Sequence, residues 1–286
     1  MNFFTGKLEE YVYAFKRNFS SLSVNQADDS SIIINLILNN PFTFLIEKVS
    51  ALLTIILAES ALETIPRKIW EHPTIKKHAF KKGKKPAQIL LDRSYHHKAM
   101  LELENNEKRG RPDIVHFCLL EALGSPLNKE GLLKVYVHTI NDYIIEVNPS
   151  VRLPRNYNRF VGLMEQLFQK GQVPPKSQKP LLKIRKETLQ ELFKRIKPDY
   201  TIVFTRDGQP KTVEDAISSI RKKEKPALIV GCFPRGNFSN NTLKLADERV
   251  CIDRETLEAW TVVSRIIYEY ERVKGVTKLR IKNEKF

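Results

Sequence analysis

Three short segments of this chain carry residues suited to holding a ligand: Arg206-Asp207-Gly208, Gly231-Cys232-Phe233-Pro234-Arg235-Gly236, and Asp253-Arg254-Glu255-Thr256. Each follows a short apolar run of buried-strand type, Tyr200 to Thr205, Ala227 to Val230 and Val250 to Ile252. In open α/β sheets, ligands bind beyond the carboxyl ends of such strands. Gly231 and Gly236 let backbone approach a ligand closely, and Phe233 with Pro234 can wall an adenine. Two glycines flanking a turn also have a purely structural reading. A GxGxxG fingerprint and a Walker A loop are both absent, which argues against a Rossmann oxidoreductase and a P-loop NTPase and disfavours a Rossmann-type methyltransferase.

A second group is basic. Arg155 and Arg159 stand one helical turn apart and Arg152 lies on the lead-in before Pro154. Like charges at that spacing repel, so a phosphate partner explains them better than self-stability does, with a solvated helix face as the alternative. Asn156, Tyr157 and Asn158 add donors and a ring for stacking. A third group is Arg111-Pro112-Asp113, where the carboxylate either orients the guanidinium or caps the helix that Pro112 opens.

The elements that position these groups alternate between strand and helix. Leu52 to Ala58 reads as a buried strand, and Ser60-Ala61-Leu62-Glu63 has the capping-box form that opens a helix. Lys76 to Lys85 reads as an exposed basic loop, and Gln88 to Leu91 as a strand after it. A helix follows Pro112 as far as Gly124, and Leu132 to Thr139 with Tyr143 to Val147 form a hairpin across Asn141-Asp142. Further helices are expected from Pro154 to Gly171, from Val213 to Lys222 behind a Thr212 cap, and from Leu257 to Tyr270, with Gln172 to Pro180 as a linker or surface loop. The fold class is α/β with a mainly parallel sheet and a β-hairpin/helix insertion. Residues 1 to about 50 read as an N-terminal extension, expected to be an over-extended gene start; 51 to 270 form the domain proper, and 271 to 286 a basic tail.

With 48 Lys+Arg against 33 Asp+Glu, a formal charge of +15 over 286 residues favours a polyanionic partner, nucleic acid above all. The apolar runs are too short to span a bilayer, so no membrane association is expected. Cys118, Cys232 and Cys251 are odd in number and form no CxxC; they read as buried thiols of a cytoplasmic protein, without disulfides or metal. His96 and His97 lack carboxylates at ligand spacing.

Several strings together carry a resemblance. Arg109-Gly110-Arg111-Pro112-Asp113-Ile114-Val115-His116, then Ser125-Pro126-Leu127-Asn128-Lys129, then Val147-Asn148-Pro149 and Arg152-Leu153-Pro154-Arg155-Asn156-Tyr157 with Arg159-Phe160, resemble the ribosome-biogenesis pseudouridine N1-methyltransferases of the SPOUT superfamily, known in eukaryotes as the "essential for mitotic growth" family, in their archaeal form. The resemblance runs from about Leu52 to Tyr268. It implies a C-terminal trefoil knot, a homodimer, S-adenosyl-L-methionine as cofactor and small-subunit rRNA as partner. By position it sets the cofactor on Gly231, Gly236 and the loop Ile252, Asp253, Arg254, Glu255, Thr256 and Leu257. It sets RNA contacts on Arg111, Arg152, Arg155 and Arg159, with Asp113 holding Arg111 in place; the loss of the N1 proton offers Asp113 a second role, as general base. A non-catalytic rRNA-binding assembly factor, or an enzyme of the superfamily acting on another base, is the alternative.

Overall fold

The computed structural model describes residues 52–283; the N-terminal extension to residue 50 lies outside them. Eight strands form one sheet: β1 Leu53–Ser60, β2 Leu133–Thr139, β3 Tyr143–Val147, β4 Gln172–Val173, β5 Leu182–Lys186, β6 Tyr200–Pro210, β7 Pro226–Gly231 and β8 Glu248–Cys251, in the order β4-β5-β3-β2-β1-β7-β6-β8. The five from β2 to β8 are mutually parallel, while β3, β4 and β5 extend the sheet antiparallel. The expected hairpin is therefore β2–β3, built into the sheet itself.

The central strands are apolar on both faces because both are covered. Along β1, Leu53, Ile55 and Leu57 join one core with α3 (Pro112–Gly124), α5 (Tyr157–Lys170), α7 (Val213–Ser219) and α9 (Ala259–Lys274). Ile56 and Ala58 face the other side, toward α6 (Leu189–Ile196). A third cluster lies outside the sheet, where α1 (Pro73–Lys82) and α2 (Arg93–Met100) bury Ile69, Ile75, Ala99 and Met100. Two short helices, α4 (Pro126–Lys129) and α8 (Asn240–Leu243), and a final α10 (Val276–Asn283) complete the described chain.

Four local expectations change. The lysine-rich segment from Lys76 is largely helix: Pro73 sits at the first position, the His72 ring accepts the Thr74 amide at 3.2 Å, and Gly83 ends α1 at φ +59°. Only Ile75 and Ala79 are buried along it, too few to show as a period. Ser60 to Glu63 opens no helix, because Ser60 donates back to the Leu57 carbonyl at 2.9 Å and the Glu63 carboxylate is held by Arg109 and Asn141. Pro86–Gln88 is a 3-10 turn, and Leu90 makes only a single bridge to Thr64. The segment after Tyr270 is helical; α10 is tied back by Arg280, which reaches Glu130 at 2.9 Å.

Among the described residues no helix is long and apolar enough to cross a membrane. Cys118 and Cys232 are buried, with sulfurs 3.6 Å apart, whereas Cys251 is half-buried.

Candidate active site

The carboxyl ends of β6, β7 and β8 meet α3 and the start of α9 around a cavity of about 600 Å³, of the size that takes a small cofactor. Gly231, Gly236, Ile252, Asp253, Glu255, Thr256 and Leu257 all line it, whereas Arg254 is exposed and does not. Phe204, Val230, Phe233, Phe238 and Val262 provide apolar wall, Asp253, Glu255 and Glu258 contribute carboxylates, and Arg111, Arg206 and Arg235 contribute positive charge. That mixture suits a ligand that carries charges of both signs and a flat aromatic group.

The glycines act differently from expectation. A Cβ on Gly231 would lie 2.8 Å from the Phe233 ring and 3.1 Å from Phe238, so the missing side chain makes room for the aromatic wall rather than for ligand. Gly236 has φ +95°, a conformation other residues avoid, and its open side is filled by the Lys108 stem at 3.1 Å. The loop is stitched to the end of β1 by Ala61 N donating to Cys232 O at 2.8 Å and Cys232 N donating to Ala58 O at 3.1 Å.

Beside this cavity lies a more open cleft lined by Arg93, Ser94, Arg111, Asp113 and Tyr157. Arg111 borders both spaces. Its guanidinium is gripped by Asp113 through Nε at 2.9 Å and Nη2 at 2.7 Å, two parallel bonds that fix its plane, and those bonds raise its pKa. Each side chain stays about one-third exposed, 38% and 28%. Both carboxylate oxygens of Asp113 are thereby engaged, and no side-chain capping bond forms at the start of α3.

The residues before Arg111 place it. Arg109 is bidentate on Glu63, at 2.7 and 2.6 Å, and nearly buried, which makes it a structural arginine. Gly110 turns the chain at φ +68° with Met100 only 2.7 Å from where a Cβ would stand. The positive φ strains any other residue there, and its Cβ would also displace the Met100 thioether.

Arg152, Arg155 and Arg159 are all exposed and line neither space. Arg155 precedes the helix rather than lying one turn below Arg159, because Asn156 is the cap: its side chain accepts the Arg159 amide at 3.1 Å. The chain that carries them is pinned from beneath. His116 on α3 donates its Nε2–H to the Pro154 carbonyl at 2.7 Å and stacks on Phe160 at 4.3 Å, and Asn128 donates to the Pro149 carbonyl at 3.0 Å. Tyr157 is not a free ring: its hydroxyl donates to Asp92 at 2.6 Å, and burial followed by that bond raises its pKa. Asn158 remains exposed.

Sequence reasoning missed Glu59, Lys108, His116 and Asn128. The last two sat inside the motif strings without an assigned role. Glu59 carries a backbone signal that sequence does not display, a φ of +50° on a buried non-glycine residue.

Comparison with known proteins converges on one family. The profile described as "EMG1/NEP1 methyltransferase" matches residues 55–271. The chain is 49% identical over 222 residues to the "Ribosomal RNA small subunit methyltransferase Nep1" of Pyrococcus furiosus, covering 77% of this chain and 96% of that protein. It is 43% identical to the protein of the same name from Staphylothermus marinus, over 78% of this chain and 97% of the other. The crystal structure of Archaeoglobus fulgidus Nep1 bound to S-adenosylhomocysteine superposes with a TM-score of 0.68 at 39% identity, covering 79% of this chain and 99% of that one.

Proposed function

The chain belongs to the EMG1/NEP1 methyltransferase family, and from that premise we propose that it transfers the methyl group of S-adenosylmethionine to N1 of a pseudouridine in small-subunit rRNA. Methylation of small-subunit rRNA from S-adenosylmethionine is the activity; the base and the atom are our assignment, supported by the motif strings around Arg111 and Arg152 to Arg159. Uridine is bonded to ribose through N1, whereas pseudouridine is bonded through carbon and presents a free N1–H.

The observation that carries this reading is that Arg111 borders both the cavity at the strand ends and the more open cleft beside it. Gly231, Gly236, Asp253, Glu255, Thr256 and Leu257 would hold the cofactor in the cavity, and its carboxylates suit a sulfonium and an amino group. When bound, S-adenosylmethionine supplies an electrophilic methyl group. The target base would enter the cleft beside Arg111, whose fixed positive charge favours the anionic form of the ring as N1–H ionises. N1 then forms its bond to the methyl carbon as the sulfonium–methyl bond breaks, and the proton passes to solvent. Asp113, with both oxygens on Arg111, orients that arginine rather than taking the proton. Arg152, Arg155 and Arg159 hold flanking phosphates.

Two further features belong to the same reading. The end of β6 doubles back along β8, with Val250 pairing both Phe204 and Gln209 and Gly208 packed directly on the Val250 backbone; this close wrapping supports the trefoil knot. An aromatic set on α3 and α9, exposed Phe117 against half-buried Trp260 at 5.1 Å and exposed Tyr268 two turns on, is the face we assign to a homodimer. Light scattering checks the dimer.

The deciding experiment offers the full chain two short RNAs, identical except for pseudouridine or uridine at the target, with labelled S-adenosylmethionine. Methylation of the pseudouridine RNA alone, by mass spectrometry of the product nucleoside, is expected. Equal methylation of the uridine RNA would overturn the assignment.

A further inference from the structure

Next to Ser94, which lines the open cleft, stands Tyr95, one of a pair of rings that the site described above does not use. Tyr95, on α2, is 54% exposed. Its inner face is stacked on His78 of α1, with centroids 4.7 Å apart and planes 26° from parallel. His78 is held in turn by His96, which is fully buried, with the two ring nitrogens 2.7 Å apart. The Asp92 amide donates to Nδ1 of His96 at 3.0 Å, so the His96 proton is on Nε2 and is given to Nδ1 of His78. Burial lowers the pKa of both imidazoles. The result is a phenol ring backed by a neutral imidazole and fixed by a buried hydrogen-bond relay.

Cations surround this stack. Arg93 lies in the cleft, tethered through Nη2 to the Asn106 carbonyl. Lys98 stands three residues beyond Tyr95 on α2 and Lys81 three residues beyond His78 on α1; both are exposed, and neither has an acidic partner among the described residues. A rigid aromatic face with unpaired lysines on the same helices, one residue from the lining of an open cleft, is the pattern by which proteins hold unpaired RNA: bases stack on the ring and phosphates meet the charges.

We propose that Tyr95, backed by His78, is a stacking platform for the unpaired base next to the target nucleotide, with Lys81 and Lys98 facing the adjoining phosphates. This rests on the reading of the chain as an rRNA methyltransferase, and it adds a second RNA-contacting surface to the arginines that flank Tyr157, which itself lines the cleft. Exposed Phe80 on α1 and Leu101 at the end of α2 belong to the same two helices, but the exposed Lys81 and Lys98 beside the rings favour a polyanion over an apolar protein surface.

The test uses the full chain with S-adenosylhomocysteine and a short single-stranded RNA containing the target pseudouridine. Fluorescence anisotropy should show Tyr95→Ala weakening RNA binding about ten-fold, with the salt dependence and the S-adenosylhomocysteine affinity unchanged, because a stacking contact is uncharged. Tyr95→Phe and Tyr95→Trp should bind as the parent does. A 2-aminopurine placed beside the target should be quenched on binding by the parent and by Tyr95→Trp, and not by Tyr95→Ala. Undiminished RNA affinity in Tyr95→Ala, with Arg155→Ala measurably weakened in the same assay, would overturn the platform and leave the RNA reading standing. A parent protein that fails to bind the RNA at all would overturn the reading beneath it.

Discussion

The ammonium of Lys108 lies 2.8 Å from the Oε2 of Glu59 and 4.5 Å above the Phe233 ring, and it also donates to the Asn237 carbonyl. Glu59 accepts in addition from the Ser239 amide at 2.8 Å and the Thr242 hydroxyl at 2.7 Å. One buried carboxylate at the end of β1 thus anchors both ends of the segment that follows β7. Removing its charge should loosen the cavity wall without touching the arginines. Glu59→Gln is expected to weaken S-adenosylmethionine binding about ten-fold by calorimetry, with RNA affinity kept. Equal affinity for the cofactor would show that the wall holds itself.

Gly236 tests the same wall from the other side. At φ +95° any side chain is strained, by about 1–2 kcal/mol, and it meets the Lys108 stem. Gly236→Leu should abolish S-adenosylmethionine binding in a folded protein that still binds RNA. Circular dichroism establishes the fold, and retained calorimetric heat would remove Gly236 from the cofactor site.

For the exposed arginines, the salt dependence of RNA binding is the measurement. Arg155→Ala and Arg159→Ala should each reduce the slope of log K against log salt by roughly one phosphate contact. Unchanged slopes would make them a solvated face.

Asp113→Asn separates orientation from proton transfer. The amide keeps one acceptor but loses the charge-assisted pair with Arg111. Weaker RNA binding with a smaller effect on the rate of bound RNA is expected; a large fall in single-turnover rate with binding intact would make Asp113 the base.

Acid stability should report the buried imidazoles. Burial, with His78 and Lys82 close by and only partly opposed by Asp92, pushes His96 down to about 4. An unfolded chain therefore takes up a proton near the ordinary histidine value while the folded one does not, so stability should fall as pH drops from about 6.5 to 4. His96→Gln should flatten that part of the profile in thermal melts. Glu59 adds a second slope lower down. Burial raises its pKa, but the bonds from Lys108, Ser239 and Thr242 outweigh this and leave it below the ordinary value, so its contribution is lost only as pH falls through that lowered value.

The parallel sheet was legible because β1, β6 and β7 are buried on both faces and read as continuous apolar runs. The loops beyond β7 and β8 followed from topology alone. What stayed hidden were features that depend on partners distant in sequence. Ser60 and Glu63 have the spacing of a helix start, yet Glu63 is claimed by Arg109, 46 residues on. In the string Arg109-Gly110-Arg111 the two arginines look equivalent; only the fold shows that the first is structural and the second faces the clefts. Arg254 was included with its loop neighbours because sequence does not show which way a loop side chain turns. The α1 helix escaped because two buried residues among lysines make no visible stripe.

The position of β8 has a consequence for how the protein is made. The arginines, the Asp113 clamp and the Tyr95 ring all precede residue 160, whereas the cavity wants β8 and the start of α9, about ninety residues later in synthesis. During translation the groups we assign to RNA emerge before the chamber we assign to the methyl donor is closed. A polypeptide stopped short of β8 would lack not only the cavity wall but also Val250, Val263, Ile266 and Tyr270, which pack with β1 and α3 in the main core. Completion of the last strand and helix therefore closes the chamber and the core in one step, so that a chain truncated in that interval should be an unfinished fold rather than a working half of the protein.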